Sequence, residues 1–336
     1  MSVAATVLIP THDHGPTLLH SVPSALAQTV SDLEVLVVGD GVPDETRELM
    51  AELVAADERV RFFDNPKGER HGEAHRHAAL QEARGEIVCY LSDDDVWLPD
   101  HVEEMQRLLS ETDLAHTLSF AIDVDRLHVV RLDLAREFHR QVLLGGESRI
   151  HLSITGHTLE LYRRLPGGWR PTPQGIYTDL YFWQRLLSLP ATRAASGTRP
   201  TVLHFPSHVR KGWSIDERLA EIDRWNEPEL AVTLRQRLLD NVLSDRAGLD
   251  EELTNRQRDV AALTARAEAA ELARAEAERL AAGRAVQLQE IAESVTWRLR
   301  GRLVGVPGLR WAARALARPT APAAAGRRGR DPRREP

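Results

Sequence analysis

The chain opens on a β-branched apolar run, AATVLIP at residues 4–10, stopped by a proline. Such a run predicts a buried strand ending in a loop. In TLLHSVPSALAQT apolar residues recur at helical spacing, with Pro23 expected in the first turns or at a kink. LEVLVVGDG repeats the first pattern, a strand running into a glycine turn. PDETRELMAELVAAD carries acids in its first turn and Leu49, Leu53 and Val54 on one face, as an amphipathic helix does. RVRFFDNP reads as a third strand, Glu73 to Arg84 as an alanine-rich helix ending at Gly85, and GEIVCYLS as a fourth strand. Strand and helix thus alternate four times. The order predicts an α/β fold with a parallel sheet, helices on both faces, and ligands at the carboxyl ends of the strands.

Further along, the pattern loosens. WLPDHVEEMQRLL reads as a helix, Leu114 to Val130 as strands of mixed periodicity, and HTLELYR (157–163) as a strand. PGGWRPTPQG is a loop, TDLYFWQRLLSL a helix, and TVLHFP a last core strand. From Leu249 to Leu288 the chain is rich in Ala, Glu and Arg, with Gly283 its one glycine and no proline. Leu249, Leu253, Val260 and Leu263 fit a heptad seam, interrupted by Arg256 and Arg274, which predicts a long helix or coiled coil able to pair with a second copy. The expected organisation is a main α/β domain over 1–215, a helical connector over 216–246, the long helix over 247–296, a basic amphipathic segment over 297–318 and a disordered tail over 319–336.

Charge sharpens this division. The 336 residues carry a net charge of -7, yet residues 297–336 hold eleven arginines against Asp331 and Glu335, so the tail is +9 and the remainder -16. Trp297, Leu299, Leu303, Trp311 and Leu316 intersperse those arginines, which suits peripheral contact with an anionic membrane surface. No base-reading module accompanies the charge, so nucleic acid is not expected as a partner. The single cysteine, Cys89, excludes an internal disulfide and a cysteine zinc cluster. With no signal-like N-terminus and no long apolar run, a cytoplasmic protein is the expectation.

The stretch YLSDDDVWLPD ends the fourth strand in three consecutive aspartates, Asp93, Asp94 and Asp95. Adjacent buried acids repel, and their natural partner is a hard divalent ion such as Mg²⁺ or Mn²⁺ carrying a diphosphate. A helix cap would use one carboxylate and leave two unexplained. In a parallel sheet the PTHDHG and GDG loops bring Thr11, His12 and Asp40 to the same rim, where the Asp40 carboxylate can accept from a base N–H. His71 and His75 share a helix face in HGEAHRHAAL, but no downstream ligand completes a zinc set.

The ordered series TVLIPTHDHGPTLLHSVPSALAQT, LEVLVVGDGVPDET, ARGEIVCYLSDDDVWLPDHV and GGW…TDLYFWQRL resembles the family 2 glycosyltransferases, inverting enzymes of GT-A fold, over about residues 4–215. The resemblance implies a mixed GT-A sheet, a nucleotide-sugar donor, a glycan or lipid-linked acceptor and a bound Mn²⁺ or Mg²⁺. It implies that Pro10, Thr11 and His12 pack on the base, that Asp40 reads it, that Asp93 faces the ribose and Arg76 the diphosphate. It makes Asp94 the metal ligand, with Asp95 as the alternative register. Asp179 matches the catalytic base and also suits a helix cap. Trp169, in the turn before the acceptor loop, either stacks on a sugar face or is an ordinary core tryptophan; Trp183 is the second candidate acceptor-binding ring, and His204 is either a buried, satisfied histidine or a completing metal ligand. Gly39, Ser92 and Thr178 replace acids of the family pattern, so the alternative function is a degenerate domain that scaffolds through its coiled coil. A sugar-nucleotide pyrophosphorylase would need a glycine-rich loop after the first strand, and PTHDHGP has one glycine.

Overall fold

A computed structural model describes residues 3–123, 126–128, 132–147, 150–226 and 228–305. The first half alternates as the apolar pattern requires: β1 (Val3–Thr11), α1 (Leu18–Leu26), β2 (Leu33–Gly39), α2 (Asp44–Ala56), β3 (Val60–Phe63), α3 (Glu73–Gln81) and β4 (Gly85–Tyr90). There follow β5 (Val96–Trp97), α4 (His101–Leu109), β6 (Leu114–Asp123), β7 (Arg126–His128), α5 (Glu137–Leu144), β8 (Thr155–Thr158) and α6 (Leu159–Arg164). The described chain ends with α7 (Thr178–Leu187), β9 (Ala194–His204), α8 (Ile215–Trp225) and the 77-residue α9 (Pro228–Val304).

β3, β2, β1 and β4 lie side by side, every pairing parallel. β2 is buried at all its residues, as a strand covered on both faces must be. Beyond β4 the sheet continues through β8, β6, β9 and β5, with β7 on β6, and here antiparallel pairs join the parallel β6–β9 pair. The nine strands form a mixed α/β sheet.

Two local expectations change. HTLELYR is a strand only to Thr158; the Thr158 hydroxyl then accepts from the Leu161 N–H at 3.1 Å and caps α6. Pro23 lies in the second half of α1 rather than its first turns. The carbonyl it deprives of a donor belongs to Leu19, which is exposed, so water can satisfy it.

The main core fills both faces of the parallel half. A second cluster joins Val96, Phe120, Ile122, Leu203 and Phe205 to Ile222 and Trp225 of α8 and Leu234 of α9. Residues 216–234 of the expected connector therefore contribute apolar side chains packed on the sheet. The chain divides into two units after Gly248. In the second unit the side chains over 250–291 are exposed throughout. Among the described residues no helix is long and apolar enough to cross a membrane. Residues 306–318 of the basic segment and the whole of 319–336 lie outside the described residues.

Candidate active site

Because β1, β2 and β4 run parallel and in register, with Thr11 beside Gly39 and Leu8 beside Tyr90, the loops after them share one rim. A cleft of about 410 Å³ opens there, lined by Pro10 to His14, Asp40, Lys67, Arg76 and Ser92 to Asp94 among others. Seven of the expected site residues, Pro10, Thr11, His12, Asp40, Arg76, Asp93 and Asp94, thus meet in one cavity.

Asp40 accepts from Lys67 Nζ at 2.5 Å and from the Gly68 N–H at 2.6 Å. Burial works against its ionisation, but Lys67 and Gly68 outweigh it and hold the carboxyl below its ordinary range. Gly72 sits at φ 71°, where a Cβ would stand 2.7 Å from Asp40 Cγ, so this turn needs glycine twice over. On the opposite wall Asp93 lies 3.6 Å from His14 Nδ1 and raises that imidazole above its ordinary value.

Asp94 and Asp95 behave differently although adjacent. Asp95 is fully buried and saturated: it accepts from Ser153 Oγ, from His204 Nδ1 at 3.0 Å and from the Phe205 N–H at 2.9 Å. Burial alone would raise its carboxyl, yet the His204 charge and these donors drive it down. Asp94 has weaker company, Ser207 Oγ at 3.4 Å and Arg218 Nη1 at 3.6 Å. Burial pushes its carboxyl up, and repulsion from Asp95 and Asp93 adds to the effect. Asp95 thus spends lone pairs on these donors and orients His204 through its Nδ1, while it stays among the acids that could hold a metal. One ligand atom each of Asp95, His151 and His204 lie within 4.8 Å of one another, and the two imidazoles stack at 3.7 Å. Burial and the His204 charge keep His151 neutral, whereas burial of His204 is overridden by Asp95 and its pKa rises.

Asp179 occupies the first turn of α7 and is half-buried; its Oδ1 accepts from the Leu180 N–H at 2.8 Å. Burial raises its carboxyl, partly offset by the Arg76 and His204 charges that reach it. The cap position itself is Tyr177, so Asp179 bonds a first-turn N–H without being the cap, and it is not among the residues that line the cleft.

For Trp169 the core alternative holds, and the acceptor-facing expectation for both tryptophans is corrected. Trp169 is 2% and Trp183 1% exposed, so neither ring is open to an acceptor. Trp169 stacks on Phe182 at 3.8 Å and donates through Nε1 to Tyr90 Oη at 3.1 Å. Its other service is to Arg76, whose guanidinium lies 5.0 Å from the ring centroid. Arg76 donates to the His71 carbonyl at 3.0 Å and keeps a buried, unpartnered Nε. An orphaned guanidinium nitrogen beside the cleft suits an anionic ligand.

Residues without a site role in the sequence reading include Lys67, His14, Glu73 and Arg218. Glu73 is fully buried and accepts from the His71 and Thr172 N–H groups, tying α3 to the loop before α7. Their partners are distant in sequence, so only an acid in a helix start or a lysine in a turn was visible.

The sequence model described as Glycosyl transferase family 2 matches residues 6–164, which hold the residues that line the cleft apart from Ser207. Residues 6–164 thus carry the sequence pattern of a family 2 glycosyltransferase domain. It is 32% identical over 111 residues to a glycosyltransferase of Nostoc sp., covering 32% of this chain and 34% of that one. It is 27% identical over 106 residues to the GalNAc(5)-diNAcBac-PP-undecaprenol beta-1,3-glucosyltransferase of Campylobacter jejuni, covering 32% of this chain and 34% of that protein. The chain thus spans about a third of the length of these curated relatives. S. aureus TarS 1-349, solved in complex with UDP-GlcNAc, shares the fold with a TM-score of 0.50 at 14% identity, over 63% of this chain and 62% of that one. The glycosyltransferase domain is of GT-A type, and its long C-terminal helix follows it in the same chain.

Proposed function

We propose that the chain transfers a sugar from a nucleoside-diphosphate donor to a hydroxyl of a glycan or lipid-linked acceptor, with inversion. The observation that carries this reading is the single cleft joining a base-reading acid, Asp40, to an orphaned arginine, Arg76, and a repelled acid, Asp94. Names of relatives add support: one carries a UDP-GlcNAc complex and another acts on an undecaprenol-linked saccharide.

In this reading Pro10, Thr11 and His12 flank the base, Asp40 accepts from its N–H, and Asp93 takes the ribose. Arg76 binds the diphosphate through its free Nε, held in aim by the Trp169 face. Asp94, with His204 of the Asp95–His151–His204 group, would hold Mn²⁺ or Mg²⁺; the fit rests on that group and on a buried acid whose neighbours are acids and whose donors stand at 3.4 Å or beyond. When bound, such an ion neutralises charge that develops on the departing diphosphate. Asp179 takes the acceptor hydroxyl's proton as that oxygen attacks the anomeric carbon from the face opposite the leaving group. Its raised pKa makes it a better proton acceptor than an ordinary surface aspartate. The basic segment from residue 297 onward is assigned to an anionic membrane surface, where a lipid-linked acceptor is found, and the long helix to self-association.

The test is titration of UDP and GDP into the purified protein with and without Mn²⁺. Metal-dependent affinity for one of them is expected. Absence of any nucleotide affinity would overturn the reading and leave the scaffolding alternative.

A further inference from the structure

From Leu253 to Val295 the long helix presents Leu253, Val260, Leu263, Leu288, Ile291 and Val295, each between 48% and 66% exposed. All six fall on alternating steps of three and four residues, the a and d positions of one heptad frame. The same frame places Ala267, Ala270, Ala277 and Ala281 in the middle of the stripe. It also places Arg256, Arg274 and Arg284 on it, and the first two side chains are 75% and 82% exposed. Leu272, Leu280 and Val286, also exposed, fall outside this frame. An isolated helix of this length gains nothing from an open apolar stripe, so something covers it.

Charge decides what does. In a parallel, in-register pair of these helices a packs on a and d on d, so each of the three arginines would face its own copy across a dry seam. In an antiparallel pair a packs on d. We propose that two copies of this chain pair through this helix in antiparallel orientation, with Leu253 beside the partner's Ile291. Under that register Arg256 faces Leu288, Arg284 faces Val260 and Arg274 faces Ala270, and no arginine meets another. The facing positions sum to 544, which sets the two-fold axis at residue 272 and lays Leu263 against Ala281, a large side chain on a small one.

Acids stand where the arginines need them. One position off the seam, Arg274 comes beside Glu271 of the opposite copy and Arg284 beside Asp259. Within its own helix Arg274 already reaches Glu278 at 2.9 Å, so its guanidinium lies along the helix surface rather than across the seam. The alanines at the centre let the two backbones approach closely, while the larger residues at both ends lock the register. The inference rests on the self-association assigned to the helix and is independent of transferase activity.

The experiment uses the full chain, with Cys89 left in place because it is buried in β4. Light scattering on the unmodified protein is expected to give a dimer; a monomer at micromolar concentration overturns self-association itself. Under mild oxidation the double variant Leu253→Cys/Ile291→Cys is expected to run as a covalent dimer on a denaturing gel, and neither single variant should. Strong cross-linking of Leu253→Cys alone would mean a parallel pair and would overturn the orientation. A dimer in which the double variant stays uncross-linked would overturn the register. Nucleotide binding measured on the same samples keeps failure here separate from failure of the transferase reading.

Discussion

In the proposed reaction Asp179 and Arg76 divide the chemistry between them, and Arg76 is held by a ring remote in sequence, that of Trp169. Burial raises the Asp179 carboxyl, so its acid limb should lie above the range of an ordinary aspartate. The sign follows directly: the protonated acid cannot accept, so kcat should fall as pH drops through the raised pKa, and a pH–rate profile checks it. Asp179→Asn is expected to lower kcat by roughly 10²- to 10⁴-fold, while UDP or GDP affinity measured by calorimetry stays within twofold; retained transfer would remove Asp179 from the role. Arg76→Ala should weaken nucleoside-diphosphate binding by about 1.5–3 kcal/mol, the worth of a hydrogen bond to a charged group, and leave binding of the free nucleoside unchanged. Trp169→Leu should reproduce part of that loss without touching the ligand, because it removes the face on which Arg76 lies. The carboxylates and the arginine were legible one by one from their place after strands. That Asp95 is saturated while Asp94 is not was illegible, since Ser153, His204 and Phe205 arrive from 58 to 110 residues away.

At the scale of elements, α8 shows how a helix outside the alternating half completes the site. It begins with a capping box in which Ser214 and Glu217 satisfy each other's backbone N–H groups. Its buried face carries Ile222 and Trp225, and Arg218 one turn earlier on that face reaches Asp94. The helix is pinned by Glu221, which pairs bidentately with the buried Arg210, and by His20 to Asp223 at 3.3 Å. Arg210→Met alone should cost about 3–5 kcal/mol, because it strands a buried carboxylate, and Arg210→Met/Glu221→Leu should recover much of that. Urea unfolding midpoints of the two variants measure the difference; equal losses would mean that packing rather than charge holds α8. Strand and helix identity over the first hundred residues followed from period alone. The exchange of strand for helix at Thr158 did not, because HTLELYR alternates well enough for a strand until its threonine is seen to cap.

For the whole molecule, a cleft-bearing sheet and a long exposed helix call for separate tests. EDTA should weaken UDP or GDP binding at least tenfold if Asp94 and His204 hold an ion, and Mn²⁺ should restore it; calorimetry with and without chelator reads this. Binding to vesicles of phosphatidylglycerol should require residues 297–336 and fall steeply with salt, since nine net positive charges there carry it. Salt-insensitive binding would point to the apolar residues of that segment instead. What the sequence determined by itself is the succession of elements, the rim on which their loops meet, and the heptad stripe of the long helix. These follow from the spacing of apolar residues and from the parallel order that alternation enforces. Tertiary structure decided the rest: which aspartate is heavily hydrogen-bonded and which is not, which tryptophans are buried, and where Lys67, His14 and Arg218 stand. Such features depend on contacts between loops far apart in the chain, and local pattern carries no record of which distant donor reaches which acid.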